Sequence, residues 1–175
     1  MLEKVNPEKV LFLDIETVPL YPDFSDLSEH EQYLWGKKAK FLARNDETPD
    51  ELYERAGIYA EFGKIVCISV GIYRSASTGR KVRITSFADA DEEKLLKRFK
   101  EMVEEHFSSP YHALCGHNGK EFDFPYIARR MLINGIKLPP PLQIAGKKPW
   151  EINHLDTLEL WKFGDFKNFT SLEVL

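Results

Sequence analysis

Two acidic residues separated by one apolar residue are the first feature of this sequence that could do chemistry. Asp14 and Glu16 flank Ile15 at the end of the apolar run 10–15. Side chains two positions apart on a strand project to the same side, so both carboxylates would enter one space. A divalent cation would offset the repulsion between the two carboxylates and the cost of the hydration that they lose. The structural alternative is that Asp14 only ends the strand and Glu16 is solvated.

A second polar group follows a later strand. Asn118 and Asp123 lie in the stretch 116–123, which runs from a strand end into a helix start. On structural grounds alone Asp123 could be a helix cap and Asn118 a turn residue. Open α/β sheets, however, bind their ligands at strand ends. With Asp14 and Glu16 emerging from the neighbouring strand, Asp123 would complete a set of oxygen ligands suited to Mg²⁺ or Mn²⁺.

The elements that must position these residues follow from hydrophobic periodicity. Short apolar or alternating runs predict strands at 10–15, 65–73, 81–87, 113–117 and 152–157, the first of them buried on both faces. Amphipathic patterns predict helices at 91–107 and 123–134, and the short turn 77–80 predicts a hairpin. Capping boxes mark further helix starts at Thr48 and at Thr170–Ser171. This order predicts an α/β domain with a mixed sheet.

Length and composition narrow the class of protein. The chain of 175 residues is long enough for one domain with a real core, and 20–63 is a polar, helix-like stretch. Neither a signal peptide nor a transmembrane run is evident, so we expect a cytoplasmic protein without a membrane partner. Cys67 and Cys115 lie in apolar runs and are expected to be free core thiols. The net charge of −4 argues against a non-specific duplex coat but not against a metal-loaded enzyme.

Together the two motifs resemble a known family. Asp14-Ile15-Glu16-Thr17 looks like the first motif of the DEDD, or DnaQ-like, 3′→5′ exonucleases, and Asn118 to Asp123 looks like the second. The sequence from His117 to Tyr126 is similar to that of the proofreading exonuclease of family B DNA polymerases. The resemblance implies a ribonuclease H-like fold, a mixed β-sheet flanked by helices. It also implies one exonuclease domain over 1–175, with 20–63 as a helical insertion.

The resemblance further implies a two-metal mechanism. Asp14, Glu16 and Asp123 would hold two divalent ions, Mg²⁺ or Mn²⁺, which activate the attacking water and steady the departing 3′ oxygen. Nucleoside 5′-monophosphates would be released from DNA, with single-stranded ends preferred. The terminal nucleotide would be positioned by Thr17, Asn118 and the backbone near Ile15. Phe122 could stack as a wedge, although an aromatic at a helix start is more often core.

One catalytic part of the family pattern is not found. A fourth Asp, with a His or Tyr that orients the water, would lie on the helix after the start at Thr170–Ser171, so we expect a chain truncated at its C-terminus. Asp156 is a possible substitute, but a structural or ligand-supporting role is preferred. His117, beside Asn118, is no obvious base.

Alternatives to this function remain open from the sequence. A non-catalytic module that binds nucleic-acid ends and an RNA exonuclease of the same fold are the main ones, because no motif specifies the sugar. A metal-dependent phosphatase would make the spacing from Asn118 to Asp123 a coincidence. Basic residues interleave with aromatics at 35–44, and more weakly at Lys147, Lys148 and Trp150. They could track a single strand, although a solvated helix face is the preferred interpretation.

Overall fold

A mixed β-sheet forms the centre of the computed structural model, which describes residues 3, 5–76, 79–165, 167 and 169–175. Within those residues the sheet has five strands, in the spatial order β3-β2-β1-β4-β5. The strands are β1 (Val10–Pro19), β2 (Gly63–Ala76), β3 (Gly79–Ala88), β4 (Ala113–Gly116) and β5 (Leu155–Asp156).

Strand directions agree with the mixed sheet expected from the element order. β1 pairs with β2 and β2 with β3 in antiparallel register, whereas β1 with β4 and β4 with β5 run parallel. The predicted hairpin is confirmed by the pairing of Ala76 with Gly79. Ser77 and Thr78, in its turn, lie outside the described residues.

The first strand is buried on one face only, so the expectation of burial on both faces was wrong. Leu11, Leu13 and Ile15 are in the core, but Phe12 between them is 41% exposed. The core side chains pack with the apolar stripes of two helices, at 92–106 and 123–133, on one side of the sheet. The other face, which carries Phe12, is therefore left open beside the strand end.

Four α-helices lie within the described ranges, and their apolar faces follow the predicted periodicity. They are α1 (Glu29–Leu42), α2 (Glu92–His106), α3 (Asp123–Ile133) and α4 (Thr157–Lys162). α2 is capped by Asp91, which accepts the backbone N–H of Lys94 at 3.2 Å. The stripes that α2 and α3 bury in the main core are Leu95, Leu96, Phe99, Val103 and Phe107, and Phe124, Ile127 and Met131.

A buried ion pair ties α2 to α3. Arg130 donates to the carboxylate of Glu92 through Nε, at 2.9 and 3.1 Å, and through a second guanidinium nitrogen. Glu92 also accepts the backbone N–H of Ile65 at 2.7 Å and the side-chain amide of Asn134 at 3.1 Å. Arg130 donates in addition to the carbonyl of Ala60 at 2.9 Å. Each charge is therefore matched by hydrogen bonds as well as by its opposite.

The segment between β1 and β2, residues 20–62, is called the inserted segment below and has a small core of its own. Trp35 is fully buried there, its ring lies edge-on to Tyr53, and its indole N–H donates to the carbonyl of Pro49 at 2.7 Å. The capping box predicted at Thr48 is present, with Glu51 bonded back to Thr48. It is followed by turns and a 3-10 helix over Tyr53–Ile58 rather than by an α-helix.

The last elements are shorter than the sequence suggests. β5 is two residues long because the side chain of His154 accepts the Leu114 N–H at 3.2 Å in place of a strand partner, and Thr157 already begins α4. The helix start predicted at Thr170–Ser171 is followed by a single 3-10 turn over Leu172–Val174. Ser171 makes no side-chain capping hydrogen bond there.

Both cysteines are free, as expected, but only Cys115 is buried and Cys67 is half-buried. Burial raises the pKa of the Cys115 thiol to about 11, so it stays protonated and unreactive. Across the described ranges, no helix combines the length and the hydropathy needed to cross a bilayer.

Candidate active site

The end of β1 and the start of α3 meet through one buried hydrogen bond. β4 pairs with β1 only as far as Phe12, so the backbone N–H of Ile15 on that side has no strand to bond. Asp123 Oδ1 accepts it at 3.0 Å. An unpaired buried N–H would cost about 1–3 kcal/mol, so this bond fixes α3 against the strand. The two predicted acidic motifs are thereby brought into contact.

Asp123 is held in a position that disfavours its charge. The residue is buried at 3% exposure, and burial raises the pKa of its carboxyl group, helped by the neighbouring charge of Asp14, to about 7. The backbone bond from Ile15 lowers that pKa but does not offset the other two effects. Perturbed carboxyl groups of this kind cluster at functional sites because a ligand or substrate later compensates them.

Asp14 and Glu16 project from the open face of the sheet. Both are exposed, and they alternate with the buried Ile15 as the strand periodicity predicts. Asp14 borders a groove of about 500 Å³ along that face, whose walls also include Phe12, Ser69 and His117. This volume lies in the range of ordinary ligand pockets.

The donor chemistry suits a hard divalent cation, although the ligands are not gathered around one point. Asp14 and Asp123 are close enough for the charge of one to raise the pKa of the other, which a cation between them would relieve. In the part of the chain that the structure describes, no three His, Cys, Asp or Glu side chains are grouped so that they could hold a metal ion. The residues therefore offer a pair of carboxylates, with Glu16 on the same strand face.

Asn118 forms a tight turn above the end of β4. Its φ of 60° is left-handed, a conformation that Asn tolerates better than most residues. Its carbonyl accepts the N–H of Phe122 at 2.9 Å, which closes the turn into α3. Gly119 follows because a side chain there would meet the ring of Phe124 at 3.0 Å. The turn-residue role considered for Asn118 is thus present, and it directs Asp123 towards β1.

Asp156 supports the site through hydrogen bonds from backbone N–H groups. It is buried, and its carboxylate accepts the N–H groups of Asn118 and Lys120 at 2.9 and 3.0 Å. It also caps α4 by accepting Leu158 N–H at 2.9 Å. With its oxygens occupied by backbone donors, Asp156 supports the turn, in agreement with the structural role preferred from the sequence.

Phe122 and Ile15, both predicted to contact substrate, have side chains turned into the protein. Ile15 is part of the main core. Phe122 is half-buried, packs on that core and has its ring 5.4 Å from that of Tyr126. Packing is therefore the visible role of the Phe122 ring, and Ile15 offers the strand end only its backbone.

Thr17 lies beside a residue that sequence reasoning missed. Tyr126 is fully buried and donates its hydroxyl to the carbonyl of Gly57 at 2.7 Å. Burial raises the pKa of that hydroxyl, and the nearby side chain of Thr17 lowers it. Gly63 lacks a side chain where one would collide with that hydroxyl and with Gly57. Tyr126 thus links α3, the end of β1 and the inserted segment. Two signals in the sequence were its place one turn after Asp123 and its position at the end of the stretch that resembles the family.

His117 is engaged on both ring nitrogens. Nδ1 lies 2.9 Å from the Thr157 hydroxyl, and Nε2 lies 2.7 Å from the carbonyl of Thr170. Because a carbonyl only accepts, Nε2 carries a proton. His117 therefore holds the segment at Thr170 against the start of α4, and neither nitrogen is free to act as a base.

The comparisons with known proteins decide the family. Residues 58–166, more than half of the chain, match a family described as a predicted 3′-5′ exonuclease related to the exonuclease domain of PolB. The chain belongs to this family. The family match includes Asn118, Phe122 and Asp123 but begins after Asp14 and Glu16. No curated protein matches the chain.

Solved structures give more distant likenesses. The family B DNA polymerase of the hyperthermophilic archaeon Pyrobaculum calidifontis is 19% identical over 74% of this chain and 11% of its own, with a TM-score of 0.36. An apo exonuclease I is 11% identical over 94% of this chain and 33% of its own, with a TM-score of 0.45. A second exonuclease I structure gives 12% identity, coverages of 87% and 29%, and a TM-score of 0.43. The chain thus spans a third or less of each.

Family membership and topology together establish the fold. The order β3-β2-β1-β4-β5, with an antiparallel half, a parallel half and flanking helices, confirms the expected ribonuclease H-like α/β fold. The same family supports a nuclease of the 3′→5′ exonuclease type that acts on nucleic acid.

Proposed function

We propose that this chain is a metal-dependent 3′→5′ exonuclease that removes nucleoside 5′-monophosphates from DNA, preferring single-stranded ends. The proposal rests above all on Asp123, whose Oδ1 is fixed to the N–H of Ile15 at 3.0 Å while burial and Asp14 raise its pKa to about 7. Such a carboxyl group, costly when ionised and held beside a second carboxylate, is suited to a cation.

The proposed ligands are Asp14, Glu16 and Asp123, and the proposed ions are two Mg²⁺ or Mn²⁺. Bound there, divalent ions would supply charge stabilisation and a nucleophile at neutral pH. Asp123 would be the fixed ligand because α3 and β1 hold it on two sides. Asp14 and Glu16, exposed on the open face, would adjust to the incoming ions and phosphate.

The terminal nucleotide would lie in the groove beside Asp14. That groove has about 500 Å³ and runs along the open sheet face, with Ser69 and His117 among its polar walls. We propose that Thr17 and the amide of Asn118 orient the terminal nucleotide, with the strand backbone at Ile15. The half-buried side chain of Phe122 packs on the core and would contribute through packing rather than by stacking on a base.

Release of single nucleotides from a 3′-labelled DNA oligonucleotide in Mn²⁺ tests the reaction. The expected result is metal-dependent appearance of 5′-monophosphates, reduced at least about a hundredfold by Asp14→Asn or Asp123→Asn, because each removes several kcal/mol of charge stabilisation. Glu101→Gln is the matched control, since it neutralises an exposed carboxylate on α2. Calorimetric titration with Mn²⁺ reports ligand loss independently of turnover.

The same assay separates the alternatives. Release of nucleotides from RNA but not from DNA would show that the same reaction acts on RNA instead of DNA. Mn²⁺ binding and oligonucleotide binding without release from either nucleic acid would overturn the enzyme and favour a module that binds strand ends. Equal activity in Asp14→Asn and Glu101→Gln would remove Asp14 from the site.

A further inference from the structure

One face of α1 is exposed and carries both aromatic and basic side chains. Residues three and four apart lie on the same side of a helix, which places Tyr33, Lys37 and Phe41 in one row with Lys40 beside them. Trp35 and Ala39, on the opposite side, are buried in the small core of the inserted segment. We call Tyr33, Lys37, Lys40, Phe41 and Arg44, just past the end of the helix, the α1 face.

The aromatic members of the α1 face are too exposed to serve the core. Phe41 is 89% exposed and Tyr33 is 59% exposed. The ammonium group of Lys37 lies 4.4 Å from the centroid of the Tyr33 ring, a cation–π arrangement that holds both side chains at the surface. Phe41 gains little stability where it is, because almost none of its apolar area is removed from water.

Charge singles out the same face. Between residues 33 and 44 there are four cations and no acidic residue, in a chain whose net charge is −4. Lys38 points away from this face and lies over the ring of Tyr59, which packs against the small core. In the described part of the chain, none of the salt bridges involves Lys37, Lys40 or Arg44. Exposed aromatics among cations without acidic partners are complementary to a single-stranded polyanion, which offers phosphates and base faces together.

The inserted segment leaves and rejoins the sheet beside the proposed active site. Pro19, at the end of β1, pairs with Gly63 at the start of β2, and Leu20 N–H donates to the carbonyl of Phe62 at 3.0 Å. Both connections lie at the end of β1 that carries Glu16 and Thr17. The segment that carries the α1 face is therefore anchored at the strand end where a nucleic-acid terminus would enter.

We propose that the α1 face binds the single-stranded part of the substrate behind its terminal nucleotide. Lys37, Lys40 and Arg44 contact phosphates, and Tyr33 and Phe41 stack on bases. This proposal rests on the proposed function for the nature of the strand, but it concerns a surface outside the carboxylate site and binding in the absence of metal.

Fluorescence anisotropy with labelled oligothymidylates in EDTA tests the proposal without turnover. The wild-type chain is expected to bind a strand of about fifteen nucleotides more tightly than one of about three, because only the longer strand reaches the α1 face. Phe41→Ala should weaken binding of the long strand about tenfold. Lys37→Gln/Lys40→Gln should reduce the slope of log affinity against log salt by about 1.4, since each phosphate contact contributes about 0.7 for a single strand.

The matched control is Lys94→Gln/Lys97→Gln, which removes the same charge from exposed lysines of α2. Length-dependent binding lost in the α1 variants and kept in the control supports the proposal. Wild-type affinity in the α1 variants, or an equal loss in the control, overturns it and leaves the face to a protein partner. Length-dependent binding by the wild-type chain without nucleotide release would refute the proposed reaction but not the α1 face as a binding surface. Nucleotide release with binding unaltered in the α1 variants would support the reaction and refute the role of the α1 face.

Discussion

The two ends of α3 each carry a buried charge, and the protein treats them in opposite ways. Near the C-terminal end, Arg130 is paired with Glu92, and the two accept or donate further bonds to Ile65, Asn134 and Ala60. At the first residue, Asp123 has the N–H of Ile15 as a partner but faces the like charge of Asp14. One end is a closed network and the other is left with an uncompensated carboxyl group.

The difference teaches where the fold is stabilised and where it is prepared for a ligand. A buried charge pair with all its hydrogen bonds made is self-sufficient, and removing one member is costly. A buried carboxyl group beside another acid destabilises the free protein and is compensated when a cation arrives. The same helix therefore supplies an anchor at one end and a proposed ligand at the other.

The largest expected effect on stability comes from breaking the ion pair between Arg130 and Glu92. Arg130→Met leaves Glu92 buried without its partner, so the free energy of unfolding should fall by about 3–5 kcal/mol. Urea denaturation followed by circular dichroism measures the change. Glu92→Met/Arg130→Met, which removes both charges, should be clearly more stable than Arg130→Met alone. A single variant as stable as wild type would show that the pair contributes nothing to holding α2 on α3.

A substitution at the Asp123 end of α3 should change the stability in the opposite direction. Asp123→Asn keeps an oxygen for the Ile15 N–H but cannot ionise, so it should stabilise the metal-free protein at pH 8 by about 2–4 kcal/mol, at 1.36 kcal/mol per unit of pKa shift. The folded-state pKa is raised from 3.8 to about 7, so the folded protein holds its proton longer than the unfolded chain. Wild-type stability is therefore lost as pH rises from about 4 to 7.

Unfolding at several pH values checks this sign. The advantage of Asp123→Asn should be small at pH 4 and complete above pH 7. Added Mn²⁺ should reverse the order, because it stabilises wild type and not a variant that lacks the ligand. A variant less stable than wild type at pH 8 in EDTA would show that Asp123 is as well compensated as Glu92.

Asp156 sharpens the comparison within the site itself. It is an equally buried carboxylate beside the same turn, yet it accepts backbone N–H groups from Asn118, Lys120 and Leu158. Asp156→Asn should therefore destabilise the protein by about 2 kcal/mol, since bonds to a charged acceptor contribute about 1.5–3. Thermal unfolding should give opposite shifts for Asp156→Asn and Asp123→Asn at pH 8. Shifts of the same sign would contradict the different roles assigned to the two acids.

The fold could be predicted from the sequence wherever periodicity was strong. The stripes of α2 and α3 and the strand character of β2 and β3 follow from local patterns, and the structure confirms them. Other predictions failed. His154 shortens β5 because its side chain takes the Leu114 N–H from a strand partner, and the capping box at Thr48 precedes a 3-10 helix rather than an α-helix. Burial of β1 on one face depends on which helices cover the sheet, which no local pattern contains.

The acidic pair and Asp123 could be located from spacing, but their partners could not. The bond from Ile15 to Asp123 joins residues 108 positions apart, and Arg130 meets Glu92 across 38 positions. Tyr126 entered the sequence analysis only as the last residue of the stretch that resembles the family. Its role depends on Gly57, which only the folded chain brings near.

The smallest expected effect tests whether Tyr126 holds Thr17 in place at the end of β1. Tyr126→Phe removes the hydroxyl that donates to the carbonyl of Gly57 beside Thr17, and it should cost about 1 kcal/mol of stability. If Thr17 positions the terminal nucleotide, the variant should also raise KM several-fold with little change in kcat. Thr17→Val should do the same, and a double variant no worse than either single would show that the two residues act as one unit. A change in stability with unaltered KM would confine Tyr126 to packing, because a looser core alone does not alter substrate affinity at temperatures where the protein stays folded.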